Sequence, residues 1–447
     1  MESPALHRLS AHADRLAAAP AWLGGPARDS FAAAFAAARE RIQKSEKSGS
    51  AVGPVVVACS QPAEFLAVVL AAVERGAAVA LASPCWGETE RAQAAAQIKP
   101  GIWFGDSAVR WPEVKPDVAY DAKQWAETIL IPTGGTGGRV RWAIHAWDTL
   151  AAAARSLTTF LNARQCTHVS TLPLWHVSGL MPAVRALESG GRLWLEDWKT
   201  LEGGAPPGLP PERTVISLVP TQLQRLLPHG AVVDWLRGTK AILLGGAKPP
   251  VALLKKAREL RLPIALAYGM TETAAVVAAQ TPADFLADAP PHATPLPHAQ
   301  IWVGDDAAVP LPIGEKGRVW IEAESLFHGY YPVRRAPGPL GTEDVGALDA
   351  QGRLQPLGRL DQIIITGGEK VNPAEVEKQI RASGLIKDVK VIGLPDAEWG
   401  ERVVAIYTGE VRTEKELKAA LRERLASHAL PKAWIHAEQL PNAEKLK

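Results

Sequence analysis

A chain of 447 residues is too long for one compact core, so two or three domains are expected. With 47% hydrophobic and 21% charged residues the balance is ordinary for a globular protein, and 49 basic against 47 acidic residues leave no broad basic field for nucleic acid. Three cysteines, Cys59, Cys85 and Cys166, form no Cys-x-x-Cys pair, which argues against a disulfide framework or zinc site and for a reducing cytoplasm.

The opening MESPALHRLSAHADRLAAAP carries charges early and lacks the apolar centre of a secretory signal. Residues 13–47, rich in Ala, Arg and Glu, favour helix. GPVVVACS reads as a buried strand, QPAEFLAVVLAAVERG as a helix with Pro62 early and Gly76 as its stop, and AAVALAS as the next strand. The apolar run FLAVVLAAVERGAAVALA is broken at Glu74-Arg75-Gly76 and is too short on either side to span a bilayer.

This strand–helix–strand rhythm predicts parallel sheet with right-handed crossovers. It continues through TILIPTGG (strand into loop), WDTLAAAARSLTTFLN (helix) and THVSTLPLWHVSG (strand into loop). TVISLVPTQLQRLLP adds a strand and helix, and KAILLGGAKPP and PIALAYGMTET add strands that end in loops. Ligands of open α/β sheets bind at the carboxyl ends of strands, and here those ends carry Thr133–Arg141, His176, Gly245-Gly246 and Tyr268–Thr273.

Beyond residue 290 short strands and turns predict a β-rich subdomain. After residue 358 comes GRLDQIIITGGEKVNPAEVEKQIRAS, with Asn372 as N-cap, Pro373 first in the helix and Glu375 three residues after the cap. DVKVIGLPD and RVVAIYTG follow as strands and EKELKAALRERLA as a helix. The expected fold is therefore α/β. A large N-terminal domain, residues 1–358, has parallel or mixed sheets flanked by helices and its β-rich subdomain at about 290–358. A small α+β domain, residues 359–447, follows; the family resemblance described below implies that it is mobile.

The run TGGTGGRVR, Thr133 to Arg141, brings together what holds phosphate: glycines that turn backbone N–H groups toward an anion, threonine hydroxyls, and arginine charge. It matches neither G-x-x-x-x-G-K-[ST] nor G-x-G-x-x-G. It resembles instead the Thr-Ser-Gly-Thr-Thr-Gly-Lys-Pro-Lys loop of the acyl-adenylate-forming enzymes. Gly134 and Gly137 stand for hydroxyl residues, and Arg139 and Arg141 for lysines. Further segments resemble that family in order: LPLWHVSGL, LLGGAKPP, AYGMTET, TEDVGAL, the Gly-Arg hinge at 358–359, TGGEKVNPAEVE and GLPDAEWGERVVA. Glu343 replaces a family Gly. The resemblance covers roughly residues 50–447.

The resemblance implies roles. Thr133, Gly134, Gly135, Thr136, Gly137, Gly138, Arg139 and Arg141 would grip the β- and γ-phosphates of ATP, in a loop mobile without them, with Thr136 in the catalytic set. Gly245, Gly246 and Ala247 would wall the adenine, with Tyr268, Gly269, Met270 and Thr271 beside the nucleotide. Glu272 would take Mg²⁺, which prefers one or two carboxylates plus phosphate and water; an isolated Thr-Glu-Thr reads only as a surface turn. His176 would gate the acyl pocket, although a core histidine is the plainer reading. Ser178 beside it has no G-x-S-x-G elbow around it. Asp344 would hold the ribose, Arg359 ribose or phosphate, and Asp361 would be the hinge. Gly367 and Gly368 would line a thiol entry. Lys447 would bridge carboxylate and α-phosphate, with Lys445 as the alternative.

The implied activity is an AMP-forming acid–thiol ligase using ATP, Mg²⁺ and coenzyme A. PLWHVSGL, VPTQLQRLL and AYGMTET together look most like the o-succinylbenzoate–CoA ligase branch of menaquinone and phylloquinone biosynthesis. An aryl- or medium-chain acyl-CoA synthetase is the second expectation and a carrier-loading adenylation enzyme the third. The lost hydroxyls leave a reading of another class, an adenylate-binding pseudoenzyme. Expected partners are ATP, CoA and a small carboxylate, an aromatic one first, with a homodimer as one option and neither nucleic acid nor a membrane span. Arg185, Thr221 and Gln222 are the candidates for a second carboxylate, without a motif to single them out.

Overall fold

The computed structural model describes residues 22–25, 28–47, 53–107, 110–114, 120–134, 140–360, 364–366, 369–396, 399–422, 424–425 and 428–440. The chain divides into two compact units, residues 1–300 with 322–339 and residues 301–321 with 340–447.

The first unit holds β1 (Leu23–Gly24), β2 (Val55–Ala58), β3 (Val79–Leu81), β4 (Ile102–Gly105), β5 (Thr128–Gly134), β6 (Val140–Ala146), β7 (Thr167–Ser170) and β8 (Arg192–Leu195). It continues with β9 (Thr214–Leu218), β10 (Ala241–Leu244), β11 (Ile264–Met270), β12 (Ala275–Ala279) and β13 (Thr294–Pro295). β14 (Ala299–Gly304) and β15 (Gly317–Ala323) open the second unit, and the chain returns to the first for β16 (Gly329–Tyr330) and β17 (Val333–Arg334). The second unit then carries β18 (Leu340–Leu348), β19 (Leu354–Arg359), β20 (Ile364–Thr366), β21 (Glu369–Val371), β22 (Asp388–Asp396), β23 (Gly400–Thr408) and β24 (Ala433–His436).

One sheet of the first unit runs β1-β8-β7-β9-β10-β11-β12-β13. It is parallel as far as β11 and antiparallel beyond. Its central strands are apolar on both faces, as a sheet covered on both sides requires. In β9, Ile216 and Leu218 join the core under helices Pro220–Leu226 and Gly230–Gly238, while Val215 faces Leu157 on the other side. The second sheet runs β17-β16-β6-β5-β3-β2-β4. The largest core joins both sheets through helices Pro62–Glu74, Trp147–Phe160 and Val177–Ser189, with Leu66, Val69, Leu150, Leu180 and Leu187 at its centre.

Helix Pro62–Glu74 buries Ala63 and every residue from Phe65 to Val73, which accounts for the apolar run without any lipid. No described helix is long and apolar enough to cross a membrane. Pro62 starts the helix and Gly76, at φ +68°, follows its end.

Two elements differ from the expectation. Val140–Ala146 is a strand rather than an extension of the glycine loop. Arg141 is its one exposed position, with Val140 and Trp142, Ala143, Ile144 and His145 all buried, and β6 pairs antiparallel with β5 from Thr128↔Ala146 to Gly134↔Val140. Val177 to Gly179, expected at the end of the strand-into-loop segment THVSTLPLWHVSG, instead open a helix, Val177–Ser189, that contains Pro182.

In the second unit β14-β15-β18-β19 form one sheet, and β21-β20-β23-β22 with β24 on β23 form another. Asn372 caps helix Pro373–Ala382 by accepting from the Ala374 N–H at 2.9 Å, as the sequence predicts. Ile364, Val376, Val389, Val403 and Leu417 make that unit's core.

Candidate active site

Parallel pairing sends β7, β9, β10 and β11 out along one edge of the first sheet, in register at Ser170↔Ser217, Leu218↔Leu244 and Leu244↔Leu266. The loops there hold Thr171–His176, Val219–Gln222, Gly245–Ala247 and Tyr268–Glu272. Gln222 ties two of them: its Oε1 accepts from Val219 N–H (3.2 Å) and its Nε2 donates to Thr171 Oγ1 (3.4 Å). Gly245 N–H donates to Leu218 O at 3.3 Å. Gly246 has φ +81°, a left-handed turn that suits glycine, and Ala247 is exposed beside it.

His176 precedes helix Val177–Ser189, and its carbonyl accepts from Gly179 and Leu180 N–H at 3.0 Å. Its ring lies 6.1 Å from that of Trp175, which in turn lies 6.3 Å from Phe65. Partial burial of the ring holds its pKa below the usual imidazole value.

The Thr-Glu-Thr turn is held from several directions. β11 and β12 approach so closely at their bulge that a Cβ on Gly269 would lie 1.6 Å from Ala275 O. Ala274 and Ala275 follow the turn at φ +51° and +77°, a conformation costly for alanine that the surrounding structure enforces. Phe327 N–H donates to Glu272 O at 2.9 Å. Tyr330 donates its hydroxyl to Glu272 Oε1. His145 Nε2 lies 2.8 Å from Thr271 O, and its Nδ1 2.9 Å from Thr149 Oγ1. Burial pushes the His145 pKa down to about 4, so the ring is neutral. Because Nε2 faces a carbonyl, it carries the proton and Nδ1 accepts.

β5 and β6 form a hairpin in which Thr133 and Arg141 face each other across the ladder, one pair before Gly134↔Val140. Gly135, Thr136, Gly137, Gly138 and Arg139 lie outside the described residues. The Arg141 guanidinium sits 4.3 Å from the centroid of the Tyr330 ring. Arg141, Tyr330 and Glu272, far apart in sequence, therefore form one cluster. Among the described residues no group of three or more His, Cys, Asp or Glu could hold a metal by itself. A lone carboxylate suits a Mg²⁺ that arrives on substrate phosphates.

Arg185 lies on the helix that follows His176 and is only 3% exposed. Its Nη2 donates to Ser217 Oγ at 3.0 Å, Nε has no partner, and no carboxylate pairs with it among the described residues. Burial lowers its pKa to about 9, which leaves it charged at neutral pH. Both ring nitrogens of buried His168 are also without a partner, and burial and then the Arg185 charge hold its pKa well below the usual value. An isolated buried charge is costly, so this cation calls for an anion.

In the second unit, β18 and β19 set Asp344 opposite Arg359 in register, with Arg359 Nη1 3.7 Å from Asp344 Oδ1. Asp344 N–H donates to Thr342 Oγ1 at 3.0 Å. Asp361, Gly367, Gly368, Lys445 and Lys447 lie outside the described residues. Sequence reading overlooks Tyr330, His145 and Phe327. Nothing in FHGYYP marks Tyr330; only its pairing with β6 brings it to Glu272.

The AMP-binding enzyme family matches residues 105–331, and the AMP-binding enzyme C-terminal domain matches residues 375–447. The chain is 32% identical over 321 residues to the 2-succinylbenzoate–CoA ligase of Enterococcus faecalis, covering 70% of this chain and 66% of that protein, just under two thirds of its length. It is 32% identical over 338 residues to the Salmonella typhimurium enzyme of the same name, covering 72% and 68%. Its fold is similar to that of o-succinylbenzoate CoA synthetase (MenE) from Bacillus subtilis in complex with the acyl-adenylate intermediate OSB-AMP, at TM-score 0.73 and 24% identity over 92% of this chain and 90% of that one. It is also similar to ATP-bound MatB from Rhodopseudomonas palustris, at TM-score 0.79 and 22% identity over 98% and 95%.

Proposed function

The chain belongs to the AMP-binding enzyme family, and from that membership we propose an ATP-dependent carboxylate–CoA ligase acting through an acyl-adenylate, with 2-succinylbenzoate as the acid. A carboxylate oxygen attacks the α-phosphorus of Mg·ATP, forming the acyl–phosphate bond and expelling pyrophosphate. The CoA thiol then attacks the acyl carbon and releases AMP.

Charge dictates the roles. The hairpin's backbone donors, with Thr133, Thr136, Arg139 and Arg141, balance the phosphates, and Glu272 takes the Mg²⁺ that ATP brings. Gly245–Ala247 and Tyr268–Thr271 border the adenine, and Asp344 and Arg359 serve the ribose. Lys447, or Lys445, offers a cation between the attacking carboxylate and the α-phosphate. In this reading residues 359–447 serve as a lid hinged at Asp361, which brings Gly367 and Gly368 to the thiol step. The free thiols Cys59, Cys85 and Cys166 suit a reducing cytoplasm.

The observation that carries the substrate is Arg185. Its buried guanidinium has no anion among the described residues, and 2-succinylbenzoate has a second carboxylate to offer. Pyrophosphate release with a panel of acids tests the reading. Turnover is expected with 2-succinylbenzoate and CoA and little with benzoate or octanoate. Preference for a monocarboxylate would reassign the substrate. Tight ATP binding without turnover on any acid would establish the pseudoenzyme instead.

A further inference from the structure

We infer that Tyr330 is a positioning residue that couples the phosphate hairpin to the metal-binding carboxylate. The inference rests on the assignment of Glu272 to Mg²⁺ above. β16 is two residues long and is fastened to β6. Tyr330 pairs with Ala143, Tyr331 N–H donates to Trp142 O at 2.9 Å, and His328 N–H donates to Ile144 O at 2.7 Å. Arg141 lies two residues before Ala143, the diagonal position that long side chains reach across a ladder. Its guanidinium accordingly covers the Tyr330 ring at 4.3 Å.

The same ring is held at its edge by Phe327, with centroids 4.9 Å apart at 69°. Phe327 in turn holds the Glu272 carbonyl through its N–H at 2.9 Å. The Tyr330 hydroxyl is thus aimed at Glu272 Oε1 by three independent contacts, and Oε2 has no partner among the described residues. One carboxylate oxygen is fixed by a charge-assisted hydrogen bond and the other remains for the metal, the arrangement by which an outer partner orients a metal ligand. The ring face that carries Arg141 joins this geometry to the hairpin that holds the triphosphate. Tyr330 touches neither nucleotide nor metal in this reading. It acts through Glu272.

Mn²⁺ in place of Mg²⁺ gives a readout independent of turnover. Tyr330→Phe keeps the ring under Arg141 and against Phe327 and removes only the hydroxyl. In an electron paramagnetic resonance titration of the full-length enzyme with ATP, Y330F should bind Mn²⁺ about tenfold more weakly than wild type. ATP binding in EDTA should be unchanged. E272Q should also weaken Mn²⁺ binding, and Y330F should add no further loss in the E272Q background. Unaltered Mn²⁺ affinity in Y330F, with E272Q weakened, overturns the role of Tyr330 and leaves the Glu272 assignment standing. So do additive losses in the double variant. Unaltered Mn²⁺ affinity in E272Q overturns the assignment, and this inference with it.

Discussion

A buried arginine without a counter-ion is a liability in a folded core, and Arg185 has none among the described residues. Arg185→Met replaces the charge by an apolar chain of similar reach. Ligand-free stability should hold or rise by about 1–3 kcal/mol, while KM for a dicarboxylic acid rises at least about tenfold. Thermal melts without ligand, beside kinetics on mono- and dicarboxylic acids, check both halves. A lower melting temperature with unchanged KM would make Arg185 a structural residue. His145 gives a prediction of the opposite kind. Its folded pKa of about 4 lies below the ordinary 6.5, so its contribution is fully present above pH 6.5 and is lost as pH falls toward 4. This single group should remove about 2 kcal/mol between pH 7 and pH 5, seen as a lower urea midpoint. His145→Gln should blunt that pH dependence.

At the scale of elements, the β5–β6 hairpin and the β11–β12 bulge do most to place the site. Arg141→Ala leaves the ladder intact and removes one cation, so KM for ATP should rise about tenfold with little change in KM for the acid. Unchanged ATP kinetics would refute the hairpin's role. Gly269→Ala puts a methyl into the Ala275 carbonyl and should destabilise by about 1–3 kcal/mol or more, measured by denaturant melts. Parallel strands and their covering helices were legible because their apolar runs and Gly or Pro ends are local signals. β6 was hidden because it lacks an in–out alternation, its residues from Trp142 to His145 all being buried, and because it abuts a glycine run and the next helix. The closeness that makes Gly269 necessary cannot be read from AYGMTET, since it depends on where β12 lies.

At the scale of the molecule, the chain forms two compact units, and the candidate residues are shared between them. Thr133, Arg141, His176, Gly245, Tyr268 and Glu272 stand in the first, and Asp344 and Arg359 in the second. The proposed two-step ligase with a lid makes a separable prediction. Lys447→Ala or Lys445→Ala, whichever lysine bridges the α-phosphate, should slow adenylation by orders of magnitude in pyrophosphate exchange and spare thioester formation from supplied acyl-adenylate. Asp361→Pro should do the reverse by restricting the hinge. If both lysine variants adenylate normally, the lysine lies elsewhere.

What the sequence determined by itself was the class of chemistry and the order of its parts. Glycine runs, a Thr-Glu-Thr turn and a capped Asn-Pro helix are local features whose meaning survives without coordinates, and their succession along the chain marked the family. Only the tertiary structure decided the partnerships. Tyr330 reaches Glu272 from 58 residues away, His145 reaches Thr271 from 126, and Arg185 meets Ser217 rather than an acid among the described residues. Those pairings depend on strand register and burial, which follow from how distant segments pack. No local run of residues encodes which partner a side chain will find, or fail to find, across the core.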